Sequence, residues 1–311
     1  MPDMSFLSRR TTKELPVIIN KSIISARHDS GAEGNFMTLE MATNLNLSVH
    51  QKEQDCEQFT LGDGRVIGSV GRVKTTLAFA KEPTNHIKCC FHILNTLSTP
   101  LILGAPFLEE TKTLSLYQSR LRESQRKVHT LPVVNSIGSI KQSKRLLMCH
   151  IDDKQSFAHA DSGSDLDLVS LSFVKARNYK IWTGIRQIQL ADRSIAQTMG
   201  KVLVTLRLAD NRQFLKFFDI LPGLTSDVLL GQDTLEDIEA FTSLKDSFVE
   251  VPVGTSQAEL NIIFDLGPIA KFFARFDKRE ISSPSTTKPP STGKSFINPD
   301  AAQNFLIIMV E

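Results

Sequence analysis

Apolar residues along this chain come in short runs and alternations broken by Gly, Pro, Asn and Asp, the rhythm of strands and tight turns rather than of long helices. Val17-Ile18-Ile19 and Ile23-Ile24 predict strands within Pro16 to Ala26, which lead to His28-Asp29-Ser30-Gly31. Asn35 to Leu39 predicts another strand, and Glu40-Met41-Ala42-Thr43-Asn44-Leu45 has helical spacing over one or two turns. Phe59-Thr60-Leu61 and Val66-Ile67-Gly68-Ser69-Val70 flank Gly62-Asp63-Gly64. Asp-Gly between apolar strands is a hairpin signal, because both residues tolerate positive φ. The return strand continues past Gly71 to Phe79, with a second turn expected around Glu82-Pro83-Thr84-Asn85. Strands follow at Ile87 to Leu94 and Pro100 to Gly104, and a short helix and strand over Phe107 to Leu116 close the unit. The expected fold class is mainly β, with short helices.

The same pattern then occurs a second time. Asp161-Ser162-Gly163 repeats Asp29-Ser30-Gly31 at a distance of 132 positions. Ile188-Gln189-Leu190-Ala191-Asp192-Arg193-Ser194 repeats Phe59 to Arg65 at 129, and Met199-Gly200-Lys201-Val202 repeats Val70 to Val73. Phe218 to Gly231 repeats Phe91 to Gly104 at 127. The small drift is that of insertions and deletions in loops, so the chain is a tandem duplication. The expected division is a frayed N-terminus at 1–16, a first domain at 17–117, a linker at 118–144, a second domain at 145–255 and an extension at 256–311. Val133-Val134 and Ile137 read as the first apolar positions of the second unit. Ser282 to Gly293 is rich in Ser, Thr and Pro and predicts a flexible linker within the extension.

Composition narrows the field. The 311 residues suffice for two cores, and 41% hydrophobic with 23% charged residues describes a globular chain. A net charge of +2 gives no steering toward nucleic acid or an anionic membrane. The longest apolar run, Phe305 to Val310, is too short to span a bilayer, and the first residues show no signal-peptide pattern. Cys56, Cys89, Cys90 and Cys149 lack disulfide-framework or zinc-ribbon spacing, so reduced thiols in the cytoplasm are expected. His86, Cys90 and His92 alternate onto one strand face, but with Lys88 on that face and no fourth ligand the expectation is a surface strand and no metal. Trp182 is expected in the core or lining a cleft, and no cofactor is expected.

Asp-Ser-Gly alone is a common surface tripeptide; two copies on equivalent loops allow specific chemistry. Two carboxyls held together share one proton, the ionised one taking a proton from water while the protonated one polarises a carbonyl. Asp29 and Asp161 are the candidate pair. The hydroxyls of Ser30 and Ser162 would lock each loop across the two halves, and Gly31 and Gly163 would let the loops pass beneath a substrate backbone. The tips Gly62-Asp63-Gly64 and Asp192-Arg193-Ser194 are candidate flaps, and Gly104 and Gly231 would lie beside the catalytic loops, where only glycine avoids a clash.

The order Asp-Ser-Gly, short helix, flap hairpin, Val70-Gly71-Arg72-Val73 and Leu101-Ile102-Leu103-Gly104, stated twice, resembles the retropepsin aspartic proteases. Within them it is similar to the DNA-damage-inducible shuttle proteins and to retropepsin-like proteins of filamentous fungi. The resemblance covers about 17–117 and 145–250. It implies two tandem acid-protease β-barrel domains, with Asp29 and Asp161 as the catalytic pair of an endopeptidase acting on a polypeptide substrate. It implies an intramolecular pseudo-dimer, or else a homodimer of the kind retropepsins usually form. Ala26-Arg27-His28 and His159-Ala160 depart from the apolar strand that enters the family's loop, and Ala105-Pro106 departs from its usual Arg-Asp. The interdigitated terminal strands have candidates only at 259–266 and 305–310. These departures keep a second reading open, a catalytically decayed scaffold that binds an extended peptide.

Overall fold

The computed structural model of the chain describes residues 11–125, 131–139 and 144–251. The expected strands at 259–266 and 305–310 and the linker at 282–293 lie outside the described residues. The first half carries β1 (Thr11–Ile19), β2 (Ser22–Asp29), β3 (Phe36–Thr38), α1 (Leu39–Asn44), β4 (Gln58–Leu61), β5 (Val66–Gly68), β6 (Gly71–Phe79), β7 (Glu82–Leu94), β8 (Leu101–Gly104), α2 (Ala105–Glu110) and β9 (Arg122–Gln125). Two short strands follow, β10 (Val133–Val134) and β11 (Ile137–Ser139). The second half carries β12 (Lys144–Ile151), β13 (Lys154–Ala160), β14 (Leu168–Ser170), α3 (Leu171–Ala176), β15 (Gln187–Leu190), β16 (Ile195–Gln197), β17 (Lys201–Arg207), β18 (Gln213–Leu221), β19 (Val228–Leu230), α4 (Gln232–Asp237) and β20 (Phe248–Val251).

Each half closes into a six-stranded barrel. The first runs β2-β8-β3-β7-β6-β1 and shuts by pairing β1 with β2; the second runs β13-β19-β14-β18-β17-β12 and shuts by pairing β12 with β13. Both contain the same two parallel contacts, β2 with β8 and β3 with β7 in one, β13 with β19 and β14 with β18 in the other. Closure leaves no free edge among the six strands of each barrel. β9 pairs with the outer end of β1 and β20 with the outer end of β12, so each half's end strand joins its own barrel.

Local chemistry explains the repeat. The β1–β2 turn at Asn20-Lys21 and the β12–β13 turn at Asp152-Asp153 have both residues at positive φ, where Asn and Asp are least penalised. Thr38 Oγ1 accepts from Met41 N at 3.1 Å and Ser170 Oγ from Phe173 N at 3.0 Å, capping α1 and α3 at equivalent positions. Along β17, Val202, Val204 and Leu206 point into the core while Lys201, Leu203, Thr205 and Arg207 between them stay half-buried, the period-two pattern of a strand with one covered face. The first barrel's core gathers Leu15, Val17, Ile19, Met37, Leu77, Phe79, Phe91 and Ile93, the second's Leu147, Ile151, Val202, Val204, Phe218 and Ile220.

Four expectations need correction. The second hairpin turns at Ala80-Lys81, with Phe79 opposite Glu82, so Pro83 lies in β7 rather than in the turn. No strand lies within 107–116: turns, with Lys112 in a left-handed conformation, follow α2, and the next strand is β9. Trp182 is 45% exposed, its ring packed edge-on against Phe217 and beneath Lys180. Val133-Val134 and Ile137 do not start the second barrel; β10 pairs with β15 and β11 with β4.

Candidate active site

Asp29 ends β2 and Asp161 directly follows β13, so each barrel carries one Asp-Ser-Gly loop at the same strand end. The loops interlock. Ser30 Oγ donates to Ala160 O at 2.8 Å and accepts from Ser162 N at 2.9 Å. Reciprocally, Ser162 Oγ accepts from Ser30 N at 3.0 Å and donates to His28 O at 3.4 Å. The His28 ring nitrogen Nδ1 lies 3.1 Å from the same hydroxyl. Burial, aided by the Arg27 charge, lowers His28 to about 3 and keeps its ring neutral.

Within each loop Gly31 N donates to Asp29 Oδ1 at 2.8 Å and Gly163 N to Asp161 Oδ1 at 2.9 Å. Each glycine passes over the opposite carboxyl: a Cβ on Gly31 would lie 2.4 Å from Asp161 Cγ, and one on Gly163 2.3 Å from Asp29 Oδ2. Both Asp residues are 0% exposed and they interact directly. Burial first, then the charge of Asp161, raises Asp29 well above the usual carboxylate range. Burial also raises Asp161. Two carboxyls so placed cannot both ionise cheaply, so the pair holds one proton. Their outer oxygens, Oδ2 of each, have no hydrogen-bond partner within the protein.

The residues behind the loops are paired in the same way. A Cβ on Gly104 would lie 2.1 Å from Gly34 O, and one on Gly231 2.6 Å from Leu166 O. Gly104 N donates to Asn35 Oδ1 at 3.0 Å and Gly231 N to Asp167 Oδ1 at 2.8 Å. Asn35 and Asp167 belong to no recognisable motif in the sequence, although they stand at the repeat distance of 132. Arg27, which looks out of place on an entering strand, reaches Thr12 Oγ1 at 2.8 Å, Gly163 O at 3.2 Å and Asp165 Oδ1 at 3.4 Å. Sequence gives no sign of that reach across the halves, because Gly163 and Asp165 lie 136 and 138 residues away.

Gly62-Asp63-Gly64 and Asp192-Arg193-Ser194 form the tips of the β4–β5 and β15–β16 hairpins. Each tip rests on the other half. Thr225 N donates to Gly62 O at 3.1 Å, Ser98 N to Ala191 O at 2.7 Å and Arg193 Nε to Leu97 O at 2.6 Å. Arg65 joins the tips, bonding Asp63 in its own hairpin and Asp192 and Ser194 in the other. His92 is not on an open surface: its ring packs against Phe36 and Phe59, and burial lowers it to about 4. Among the described residues no group of three or more His, Cys, Asp and Glu could hold a metal ion. No helix among them is long and apolar enough to cross a membrane. A cavity of about 610 Å³ lies away from the space under the hairpins; Ser30, His159, Phe241 and Phe248 are among the residues lining it.

Two tandem closed barrels, each giving one acidic loop to a shared grip and one hairpin above it, define a retropepsin-like aspartic protease fold. Residues 25–131 match the family model of the PEG10/RTL1 protease domain. Among solved structures, the chain is similar to the retroviral protease-like domain of Ddi1 from Leishmania major at 22% identity, over 34% of this chain and 78% of that one, with a TM-score of 0.27. It is similar to the EIAV protease complexed with the inhibitor HBY-793 at 15% identity, over 37% and 95%, with a TM-score of 0.26. Simian foamy virus (mac) protease matches at 16% identity, over 30% and 94%, with a TM-score of 0.23. No curated protein matches the chain.

Proposed function

We propose that this chain is an aspartic endopeptidase in which Asp29 and Asp161 activate water against a peptide carbonyl. The observation that supports the reading is a pair of fully buried aspartates on two loops that are locked to each other by reciprocal Ser30 and Ser162 bonds. In this reading the ionised partner removes a proton from water, and the protonated one donates to the carbonyl oxygen as the tetrahedral intermediate forms. Ser30, Gly31, Ser162 and Gly163 hold the loops; they do not exchange protons with substrate. The hairpin tips at 62–64 and 192–194 close over an extended polypeptide and exclude bulk water. The working unit is an intramolecular pseudo-dimer of the two barrels, joined through the residues between β9 and β12. A cytoplasmic setting agrees with four free cysteines.

The test is cleavage of a peptide library by the purified chain, read by mass spectrometry. Pepstatin-sensitive cleavage lost in Asp161→Asn supports an endopeptidase. Saturable peptide binding with no cleavage at any pH between 3 and 8 rejects it in favour of a peptide-binding scaffold.

A further inference from the structure

The space between the interlocked loops and the two hairpins is filled by the chain's own residues 131–139. Val133 and Val134 pair in parallel with Gln189 and Leu190 of β15, while Ile137 and Gly138 pair antiparallel with Leu61 and Thr60 of β4. From below, Asp165 N donates to Val133 O at 2.8 Å and Glu33 N to Ile137 O at 2.9 Å. Val133 N donates to Asp165 Oδ2 at 2.9 Å. Asp165 and Glu33 each stand four residues after their own half's aspartate, so these two carbonyl contacts are equivalent under the repeat. The carbonyl midway between those of Val133 and Ile137 is that of Asn135. The pseudo-two-fold relation that brings Asp29 and Asp161 together therefore brings the Asn135–Ser136 bond to the same axis.

The side chains agree with that register. Val134 packs with Leu168, Ile188, Leu190, Leu221, Leu224 and Leu229. Ile137 packs with Phe36, Phe59, Leu61, Leu94, Leu97 and Ile102. These two sets correspond position by position in the duplication, so the segment fills one apolar pocket in each half. Between them Asn135, 1% exposed, donates from Nδ2 to Gly163 O at 3.3 Å and accepts from Ser98 Oγ. A connecting loop has no need of equivalent pockets, hairpins above and loop amides below. An extended peptide presented for hydrolysis needs all three.

We propose that this segment is the site's first substrate: the chain hydrolyses its own Asn135–Ser136 bond, and the two pockets select peptides with aliphatic side chains where Val134 and Ile137 sit. The proposal rests on the endopeptidase reading above. The oxygen of water bonds to the Asn135 carbonyl carbon and the bond from that carbon to Ser136 nitrogen breaks. The protonated carboxyl gives its proton to the carbonyl oxygen while the ionised one takes a proton from water. On collapse that second proton passes to the leaving nitrogen, and one hydroxyl of the gem-diol returns its proton to the pair. The products are a carboxylic acid at Asn135, which then ionises to solvent, and an amine at Ser136, with the pair returned to one proton. The interlocked serines still join the two pieces, and the emptied groove accepts other peptides.

The experiment incubates the purified full chain and maps new termini by intact mass and N-terminal sequencing. The expected result is a pair of fragments, 1–135 and 136–311, formed at a rate independent of protein concentration and absent in Asp161→Asn. Val134→Asp/Ile137→Asp should slow the cut by about two orders of magnitude or more, since each pocket would have to bury a charge. Should that variant misfold, the synthetic nonapeptide 131–139 gives a second measure, expected to be cut by the opened enzyme at the same bond. A cut elsewhere, or one whose rate scales with concentration, overturns the inference. So does a chain that stays intact at Asn135–Ser136 while cleaving added peptides, an outcome that leaves the endopeptidase reading standing. If neither its own bond nor any added peptide is cut, the inference and that reading fall together.

Discussion

Replacing Asp161 by Asn should stabilise the protein at neutral pH as it removes the proposed chemistry. An Asp in the unfolded chain ionises near 3.8, whereas burial lifts Asp161 in the fold to about 6. A carboxyl with a raised folded value holds its proton more tightly folded than unfolded. Below the unfolded value its contribution is neutral; between 3.8 and 6 a penalty grows, and above 6 the full penalty applies. A shift of roughly two pH units corresponds to about 3 kcal/mol against folding at pH 7, falling below about 1 kcal/mol near pH 4. The Asn side chain escapes this penalty, and its Oδ1 can still accept the Gly163 N–H that now lies 2.9 Å from Asp161 Oδ1. It also relieves Asp29 of a neighbouring charge, which acts in the same direction. The variant should melt roughly 6–12 °C above the parent at pH 7, with the gap closing toward pH 4. Thermal melts from pH 4 to 8, on protein confirmed intact by mass, measure it. Parallel curves, or a variant that is less stable at pH 7, would refute burial of a shared-proton pair.

Two further outcomes follow from the loops. Ser30→Ala removes the hydroxyl that donates to Ala160 O and accepts from Ser162 N. It should cost about 1–3 kcal/mol by urea titration, because both partners are left buried and unpaired. Gly104→Ala would drive a methyl to 2.1 Å from Gly34 O, against backbone that has nowhere to retreat. It should cost more than about 3 kcal/mol or prevent folding, seen as loss of the cooperative melt, whereas Gly68→Ala, with nothing within 4 Å of its Cβ, serves as the neutral control.

The duplication made much of the molecule readable from sequence. Alternating Val, Leu and Phe positions marked most barrel strands, and the repeated Asp-Ser-Gly and apolar-Gly phrases singled out residues that meet in space. What the sequence does not mark depends on contacts made across long separations. Arg27 looks like a flaw in a strand until Asp165, 138 residues on, comes within 3.4 Å of it. Asn35 and Asp167 look like loop residues until the amides of Gly104 and Gly231 arrive. The apolar triplet Val133, Val134 and Ile137 reads as the start of a strand in either environment. Hydrophobicity reports that these side chains will be covered, but not that the cover is supplied by pockets from both halves.

The two pockets descend from one ancestor, yet their floors now differ. Where the first presents the aromatic rings of Phe36 and Phe59, the second offers the smaller, branched Leu168 and Ile188. An assembly of two identical chains has no means of telling a peptide's amino end from its carboxyl end, since a half-turn exchanges them. Joined in one polypeptide and free to drift apart, these halves give the groove a head and a tail, and a sequence laid in backwards would meet the wrong wall at each end.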